Sequence, residues 1–209
     1  MPDRDELTGD EKETGRLEAF SDGVFGIAMT LLVLEIKVPR AADVAPPLSL
    51  AGALLRQWPM YAAYVLSFVT VLIMWTNHHK LFRLIRRSNH TFLTINGLLL
   101  MFVTLVPFPT ALLAEHLGRP SGATAAAVYS GTLVFIAVLF NVLWRYAARG
   151  ARLLARGHDR EAAAEITRQY RFGPLLYLAA FVLAFVSVAA SVGLCGCLAV
   201  FFAWPPRAR

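Results

Sequence analysis

Charged residues are scarce in this sequence, which excludes an ordinary soluble domain. Only 16% of the 209 residues are charged, whereas 57% are hydrophobic and the mean hydropathy is +0.55. Soluble domains carry about 25% charged residues. Cysteine is rarer still, with only Cys195 and Cys197. These two lack the second pair that a structural zinc site needs, so we expect packing roles for both. The sequence therefore predicts an integral membrane protein.

Catalytic and metal-binding patterns are also missing. Two of the five histidines, His116 and His158, fall in expected loops, and no His-Glu-x-x-His pattern occurs. The adjacent His78 and His79 suggest a metal centre, but a multi-histidine site would lack ligands. We therefore expect no enzyme, no cofactor and no resident metal. The net charge of +6 comes from basic residues that lie between apolar segments. This placement favours a role in orienting the protein in the membrane over a role in binding nucleic acid.

Several apolar segments are long enough to predict an all-α, polytopic membrane protein with six transmembrane helices. A spanning helix needs about 20 mostly apolar residues. The predicted helices cover residues 17–38, 58–79, 91–114, 122–146, 171–189 and 191–205. A turn near Ser191 to Gly193 divides the last apolar block. The chain then has a charged tail at 1–15, a membrane domain at 16–205 and a short basic tail at 206–209.

Lysine and arginine are unevenly distributed between the two sides of this arrangement. With an even number of spans, sixteen of them fall on the side that holds both termini and four on the other side. Loops rich in lysine and arginine stay in the cytoplasm. We therefore expect a multi-pass protein of the cell membrane with both termini in the cytoplasm.

Polar side chains gather at the expected cytoplasmic ends of the first three helices. An ionisable residue near the membrane is costly unless it is paired, which makes Asp22 a candidate site residue. A simple helix cap formed by Ser21 and Asp22 is the alternative interpretation. A buried indole N–H needs an acceptor and a buried carboxylate needs donors. The residues expected to form a helix-anchoring polar network are Arg16, Phe20, Ser21, Asp22, Trp75, Asn77, His78, His79 and Asn96.

Winding the first helix at about 100° per residue separates two faces. The residues within about 60° of Ile27 are Phe20, Gly23, Thr30, Leu31 and Leu34. Asp22 falls about 140° away from Ile27. The residues on the side of Asp22 are Phe25, Met29 and Val33. Ordinary packing or lipid contact also explains such a stripe of Ile and Leu, so the stripe alone assigns no function.

Three motifs carry a resemblance to a known family. They are Arg16-x-x-x-Phe20-Ser21-Asp22, then Trp75-x-x-His78-His79-x-x-Phe82, and then Asn96 with Pro107-Phe108-Pro109-Thr110. Together they resemble the transmembrane protein 175 family, the endosomal and lysosomal potassium channels and their prokaryotic relatives. The likeness is strong over residues 16–39 and 75–113 and rests on helix count beyond residue 115. Gly26 and Met29 depart from the family pattern, but both lie off the Ile27 face.

The resemblance implies a potassium-selective, leak-type channel whose subunits form a homotetramer in the lipid bilayer, with helix 1 lining a central pore. Such a pore has no carbonyl filter, and the sequence contains no Thr-Val-Gly-Tyr-Gly motif. Transferred position by position, the resemblance makes Ile27 the main constriction. Leu31 and Leu34 would continue it as apolar rings, and Thr30 would add a hydroxyl ring. Potassium ions would then occupy the pore only transiently.

A proton-coupled secondary transporter is the alternative function. Asp22 and His79 would carry its protons, because such pairs also line transporter pathways. Transporter sites usually combine broken helices and inverted repeats near the midplane of the membrane. Here the polar groups cluster toward one end and the middle of the first helix is apolar. Passive flux without a coupled gradient separates the two functions.

Overall fold

The computed structural model describes residues 9–40, 44, 49–155 and 160–203, with side chains from Thr14 onwards. Every regular element among these residues is helical, so the all-α prediction is confirmed. The predicted basic tail at 206–209 and residues 1–8 of the predicted charged tail lie outside the described residues.

The described residues include nine α-helices. The α-helices are α1 (Gly9–Leu31), α2 (Leu50–Arg56), α3 (Trp58–Leu84), α4 (His90–Leu105), α5 (Pro107–His116), α6 (Gly122–Ala148), α7 (Arg160–Arg171), α8 (Gly173–Leu183) and α9 (Val188–Ala203). Short 3-10 helices follow α1 at Leu32–Glu35 and α6 at Arg149–Ala151. Helix α6 packs against α4, α5, α7, α8 and α9 and is the central helix of the bundle.

Among the described residues, four stretches are long and apolar enough to cross a membrane. They are Thr14–Glu35, Trp58–Leu84, His90–His116 and Gly122–Ala151. These stretches match the first four predicted spans, and the chain is a membrane protein. The last two predicted spans correspond to shorter helices, α8 with 11 residues and α9 with 16. At 1.5 Å per residue, α9 is about 24 Å long, less than the roughly 30 Å hydrocarbon core.

Helix α1 begins earlier and ends earlier than predicted. It starts at Gly9 rather than at residue 17, because the charges that exclude residues 9–16 from the membrane are no obstacle to helix formation. Its α-helical part ends at Leu31, and the chain tightens into the 3-10 helix, where the N–H of Ile36 donates to the carbonyl of Val33 at 3.1 Å. The 3-10 segment contacts α3 and α5.

The third predicted span is divided by proline. Pro107 has no N–H to donate to the carbonyl four residues earlier, so α4 ends at Leu105 and α5 starts at Pro107. Val106 bridges the break through a 3-10 bond to the carbonyl of Val103 at 3.2 Å. Both halves remain in one apolar stretch, and Asn89 caps its start by accepting from the N–H of Phe92.

The prediction of a turn near Ser191 to Gly193 is wrong. The turn lies at residues 184–187, and Ser191 is fully buried inside α9. The reason is where the serine hydroxyls bond. Ser187 accepts from the N–H of Ala190 at 3.3 Å and starts the helix. The hydroxyl of Ser191 donates to the carbonyl of Ala180 at 2.7 Å and ties α9 back to α8.

Backbone hydrogen bonds join the ends of α3 and α6. The N–H of Arg86 donates to the carbonyl of Leu153 at 3.0 Å, and the N–H of Ala155 donates to the carbonyl of Leu84 at 3.0 Å. The two helices therefore end at the same end of the bundle. This placement agrees with the predicted alternation, in which the loops after both helices lie on one side of the membrane.

Candidate functional site

Helix α1 has one buried face and one exposed face. Phe25, Ala28 and Leu32 are fully buried against the rest of the chain. The opposite face is exposed along its whole length, with Ile27 exposed by 58% and Leu34 by 70%. This face, called the Ile27 stripe below, consists of Phe20, Gly23, Ile27, Thr30, Leu31 and Leu34. The structure therefore separates the two faces much as the helical wheel predicts.

Val33 is an exception to the predicted division. The wheel places it beside Asp22, yet it is 50% exposed. It follows the change from α-helix to 3-10 helix at Leu32, and a 3-10 helix advances about 120° per residue instead of about 100°. The wheel angle of Val33 is therefore not valid, whereas Leu34 is exposed as its own angle predicts.

The hydroxyl of Thr30 has a fixed direction. Its Oγ1 donates to the carbonyl of Ile27 at 2.8 Å. Because the single hydroxyl proton is used in this bond, the lone pairs of Oγ1 are what the side chain offers to other groups. An exposed oxygen with only lone pairs to offer suits a cation or the hydrogen atoms of water.

Asp22 joins α1 to α3. The Nε1–H of Trp75 donates to Oδ1 of Asp22 at 2.9 Å, and both side chains are half-buried. The bond satisfies the indole donor and gives the carboxylate a charge-assisted partner, which is among the stronger types of hydrogen bond. Asp22 therefore faces a neighbouring helix and lies off the Ile27 stripe.

A second connection runs from α3 through α4 to α1. The Nε2 of His78 lies 2.9 Å from Oδ1 of Asn96, and Nδ2 of Asn96 donates to Oγ of Ser21 at 3.0 Å. Ser21 in turn donates to the carbonyl of Leu17 at 2.8 Å. Because the hydroxyl proton of Ser21 is used in that bond, Oγ of Ser21 must accept from the Asn96 amide N–H. The amide oxygen of Asn96 therefore faces His78, and Nε2 of His78 carries the imidazole proton that it donates.

His78 is packed among aromatic rings. It is fully buried, stacks on Phe82 with ring centroids 4.4 Å apart, and contacts Phe25 at 5.3 Å. Phe140 of α6 meets it edge-on at 6.4 Å. The Nδ1 atom has no hydrogen-bond partner among the described residues. The ring is thus fixed in position by packing and by its single bond to Asn96.

His79 has a different environment from its neighbour. It is exposed, stacks beside Trp75 at 6.2 Å, and its Nδ1 lies 3.0 Å from Oε1 of Glu18. Within the described part of the chain, no hydrogen bond or ion pair joins His79 to Asp22. Asp22 and His79 therefore do not form the pair on which the transporter alternative relies.

Three of the residues expected in the network lie elsewhere. Arg16 is exposed and has no ion pair among the described residues. Phe20 is 63% exposed on the Ile27 stripe, as its wheel angle requires. Asn77 is buried but lies about 100° around α3 from His78, facing α6 and α8.

The sequence reading missed Glu18 and a second polar cluster. Glu18 lies between two motif residues, Arg16 and Phe20, and the available signal was its acidic charge at the predicted cytoplasmic end of the first helix, the end at which His79 was also expected. The second cluster joins α3, α5 and α6 away from α1. Oγ1 of Thr110 lies 2.7 Å from Oγ of Ser67, and Ser67 donates to the hydroxyl of Tyr129 at 3.2 Å. Isolated hydroxyls in apolar helices carry no signal that identifies their partners.

The bond between Trp75 and Asp22 predicts a measurable coupling. Trp75→Phe keeps most of the ring and removes the donor, so we expect the free energy of unfolding in detergent to fall by about 2 kcal/mol. Asp22→Asn is expected to weaken the same bond, and the double variant should lose less than the sum of the two. Trp58→Phe, at an exposed position of the same helix, is the control and should leave stability unchanged. Additive losses would contradict the coupling.

Comparison with known proteins assigns the fold. The sequence profile described as endosomal/lysosomal potassium channel TMEM175 matches residues 16–107. A protein of Chamaesiphon minutus named a potassium channel is 56% identical over 194 residues, which cover 93% of this chain and 95% of that protein. This chain belongs to the TMEM175 family. The resemblance inferred from the three motifs is therefore confirmed, and the similarity extends well beyond residue 115.

Two further relatives place this TMEM175 chain within its family. The crystal structure of a lysosomal potassium-selective channel TMEM175 homologue from Chamaesiphon minutus superposes with a TM-score of 0.84 at 54% identity, covering 92% of this chain and 97% of that one. The human endosomal/lysosomal proton channel TMEM175 is 36% identical over 135 residues, which is 62% of this chain and 27% of that protein. These relatives are named as ion channels. The described residues of this chain contain no cluster of three His, Cys, Asp or Glu suited to a metal.

Proposed function

We propose that this TMEM175-family chain is a potassium-selective, leak-type channel, in which four copies surround a central pore lined by the Ile27 stripe. The observation that carries the proposal is the division of α1. Its buried face is held by directed hydrogen bonds to α3 and α4, while a narrow line of Ile, Thr and Leu on the opposite face is exposed. The relatives named as potassium channels support potassium as the ion.

The physics of such a pore differs from coordination by backbone carbonyls. Rings of Ile27, Leu31 and Leu34 offer an ion nothing to replace its water, so the width and wetting of the pore control passage. Potassium gives up or distorts its hydration shell more cheaply than sodium does, which favours potassium in a narrow apolar ring. The outward lone pairs of Thr30 would assist partial dehydration next to the constriction.

The polar network would act as an anchor and need not touch ions. Ser21 and Asp22 connect α1 to two different helices through Asn96 and Trp75. Two bonds to separate helices fix both the rotation and the position of α1, and hence the orientation of the Ile27 stripe. An exposed Arg16 at the start of the span suits the membrane surface.

We also propose that the protein lies in the cell membrane with both termini in the cytoplasm. The excess of lysine and arginine on the side of both termini supports this orientation, as does the meeting of the loops after α3 and α6 at one end of the bundle. Helices α8 and α9 would be the fifth and sixth spans. The tails at 1–15 and 206–209 would then be cytoplasmic, flanking the membrane domain at 16–205.

Ion flux in proteoliposomes tests the proposal. Under opposing potassium and sodium gradients we expect passive flux that favours potassium, without any requirement for a proton gradient. Purified protein should have the mass of four chains. Absence of passive current from well-assembled protein would overturn the channel function. Flux that appears only with a proton gradient would favour the transporter, and a current carried by protons alone would contradict potassium selectivity.

A further inference from the structure

Five arginines lie at the end of the bundle where α3 and α6 finish. They are called the arginine patch below and are Arg83, Arg86, Arg87, Arg149 and Arg152. All five side chains are exposed, and none of them forms an ion pair within the described ranges of the chain. No aspartate or glutamate occurs in residues 80–90 or 145–155. Neither segment therefore supplies a negative charge that balances this surface.

Backbone hydrogen bonds bring the two halves of the arginine patch together. The N–H groups of Arg86 and Arg87 both donate to the carbonyl of Leu153, at 3.0 and 3.2 Å. Arg152 directly precedes Leu153 in the chain, so the three arginines converge on one pair of hydrogen bonds. Ile85 and Leu153 are buried, which anchors this connection in the core while the arginine side chains stay exposed.

A tight turn before Arg152 makes this convergence possible. Gly150 and Ala151 have positive φ angles of 65° and 51°, and the N–H of Leu153 donates to the carbonyl of Ala147 at 3.2 Å. A residue with a Cβ rarely adopts such an angle and keeps it only where its surroundings impose it. The turn reverses the chain after α6 and brings Arg152 to the loop that follows α3.

Tyr146 helps to position one of these guanidinium groups. Cζ of Arg152 lies 5.4 Å from the centroid of the Tyr146 ring, a contact in which the ring face attracts the cation. The hydroxyl of Tyr146 lies 3.0 Å from Nδ2 and 3.2 Å from Oδ1 of Asn89, the residue that caps α4. This contact orients the guanidinium but provides no negative charge to neutralise it.

The arginine patch lies at the depth of the lipid headgroups. The apolar stretches Trp58–Leu84 and Gly122–Ala151 each end within three residues of the arginines beside them. The headgroup layer adds about 5–8 Å to each side of the roughly 30 Å hydrocarbon core. Three residues of α-helix span only about 4.5 Å. The guanidinium groups are therefore within reach of phospholipid phosphates.

We propose that the arginine patch binds the headgroup phosphate of an anionic phospholipid in the adjacent leaflet. The planar guanidinium matches phosphate oxygens with two parallel hydrogen bonds. Clusters of about four to eight basic residues next to a membrane span attract anionic lipids, whereas a zwitterionic lipid carries a cation that offsets its own phosphate. The binding does not depend on the channel function, so a chain that conducts no ions would leave this proposal intact.

Native mass spectrometry of the full-length protein in detergent micelles tests the binding. We expect phosphatidylglycerol to bind at least about twenty-five-fold more tightly than phosphatidylcholine with the same acyl chains. Raising ammonium acetate from about 0.1 M to about 1 M shortens the screening length from about 10 to about 3 Å and should reduce this preference more than tenfold. Equal binding of the two lipids would overturn the proposal.

Charge removal locates the site. Arg86→Gln combined with Arg152→Gln takes one charge from each half of the patch and should weaken phosphatidylglycerol binding about fivefold per charge, or about twenty-five-fold in all. Binding of phosphatidylcholine should stay the same. Arg86→Lys combined with Arg152→Lys keeps both charges and should lose less than about fivefold. Unchanged phosphatidylglycerol binding in the glutamine variant would overturn the proposal.

The matched control removes two arginines from the other end of the bundle. Arg56 and Arg119 are exposed and precede the starts of α3 and α6, so Arg56→Gln combined with Arg119→Gln changes the net charge equally and should retain binding. An equal loss in this control would assign the effect to net charge and overturn the site. Should the first glutamine variant fail to fold, Arg83→Gln combined with Arg149→Gln decides in its place.

Competition distinguishes a lipid headgroup from other sources of phosphate. At constant ionic strength, we expect neither millimolar inorganic phosphate nor a single-stranded oligonucleotide to displace phosphatidylglycerol, because neither has acyl chains that hold it at the ends of α3 and α6. Displacement by inorganic phosphate would make the patch a site for free anions. Displacement by the oligonucleotide would make it a surface for nucleic acid, and either result would overturn the proposal.

Discussion

Replacing Ile27 with asparagine is expected to bring the ratio of potassium to sodium flux down to about one while total flux rises. The side chain is 58% exposed at the middle of the Ile27 stripe, and in the proposed pore the apolar ring of four such side chains would offer a dehydrating ion no new ligands. An amide ring would bind water and keep the pore wet, so sodium would pass with its hydration shell largely intact. Proteoliposome flux under opposing gradients measures both quantities.

Two variants on the same helix make the comparison specific. Ile27→Val keeps the ring apolar and widens it slightly, so it should retain a preference for potassium. Val33→Asn introduces the same amide at a position that is 50% exposed but outside the Ile27 stripe, and it should leave selectivity unchanged. Unaltered selectivity in Ile27→Asn would remove this residue from the pore. Equal loss in Val33→Asn would indicate a general disturbance of α1.

Replacing Asn96 with alanine is expected to lower the free energy of unfolding by about 3 kcal/mol. The amide joins His78 to Ser21, and all three side chains are fully buried. Its removal breaks two hydrogen bonds and leaves the Nε2–H of His78 without an acceptor in an apolar interior. This loss corresponds to about a hundredfold shift in the folded-to-unfolded ratio, measurable by reversible denaturation in mixed micelles.

A control and a rescue accompany this variant. Thr94→Ala removes an exposed hydroxyl that bonds only within its own helix, to the carbonyl of His90, so stability should change by less than about 0.5 kcal/mol. Combining His78→Phe with Asn96→Leu removes both polar partners together and should recover much of the loss. If Asn96→Ala behaves like Thr94→Ala, the connection from α3 to α1 does not contribute to stability.

The separation of α1 into two faces followed from the sequence because it depends on geometry within one helix. A rotation of about 100° per residue assigns Ile27 and Asp22 to opposite sides whatever surrounds them. The same local reasoning failed at Val33, where the helix tightened, and at the α8–α9 turn, where the distant partner of Ser191 decided the break.

The sequence by itself determined that the chain is helical, that it resides in a membrane and that an aspartate near the start of the first span needs a donor, because each follows from composition, length or the cost of burying charge. Only the tertiary structure decided which donor that is. Adjacent residues in α3 point about 100° apart. Asn77 therefore faces α6 and α8, His78 faces Asn96 of α4, and His79 faces Glu18 of α1. Sequence spacing fixes the angles between these side chains, but only helix packing determines what each of them meets.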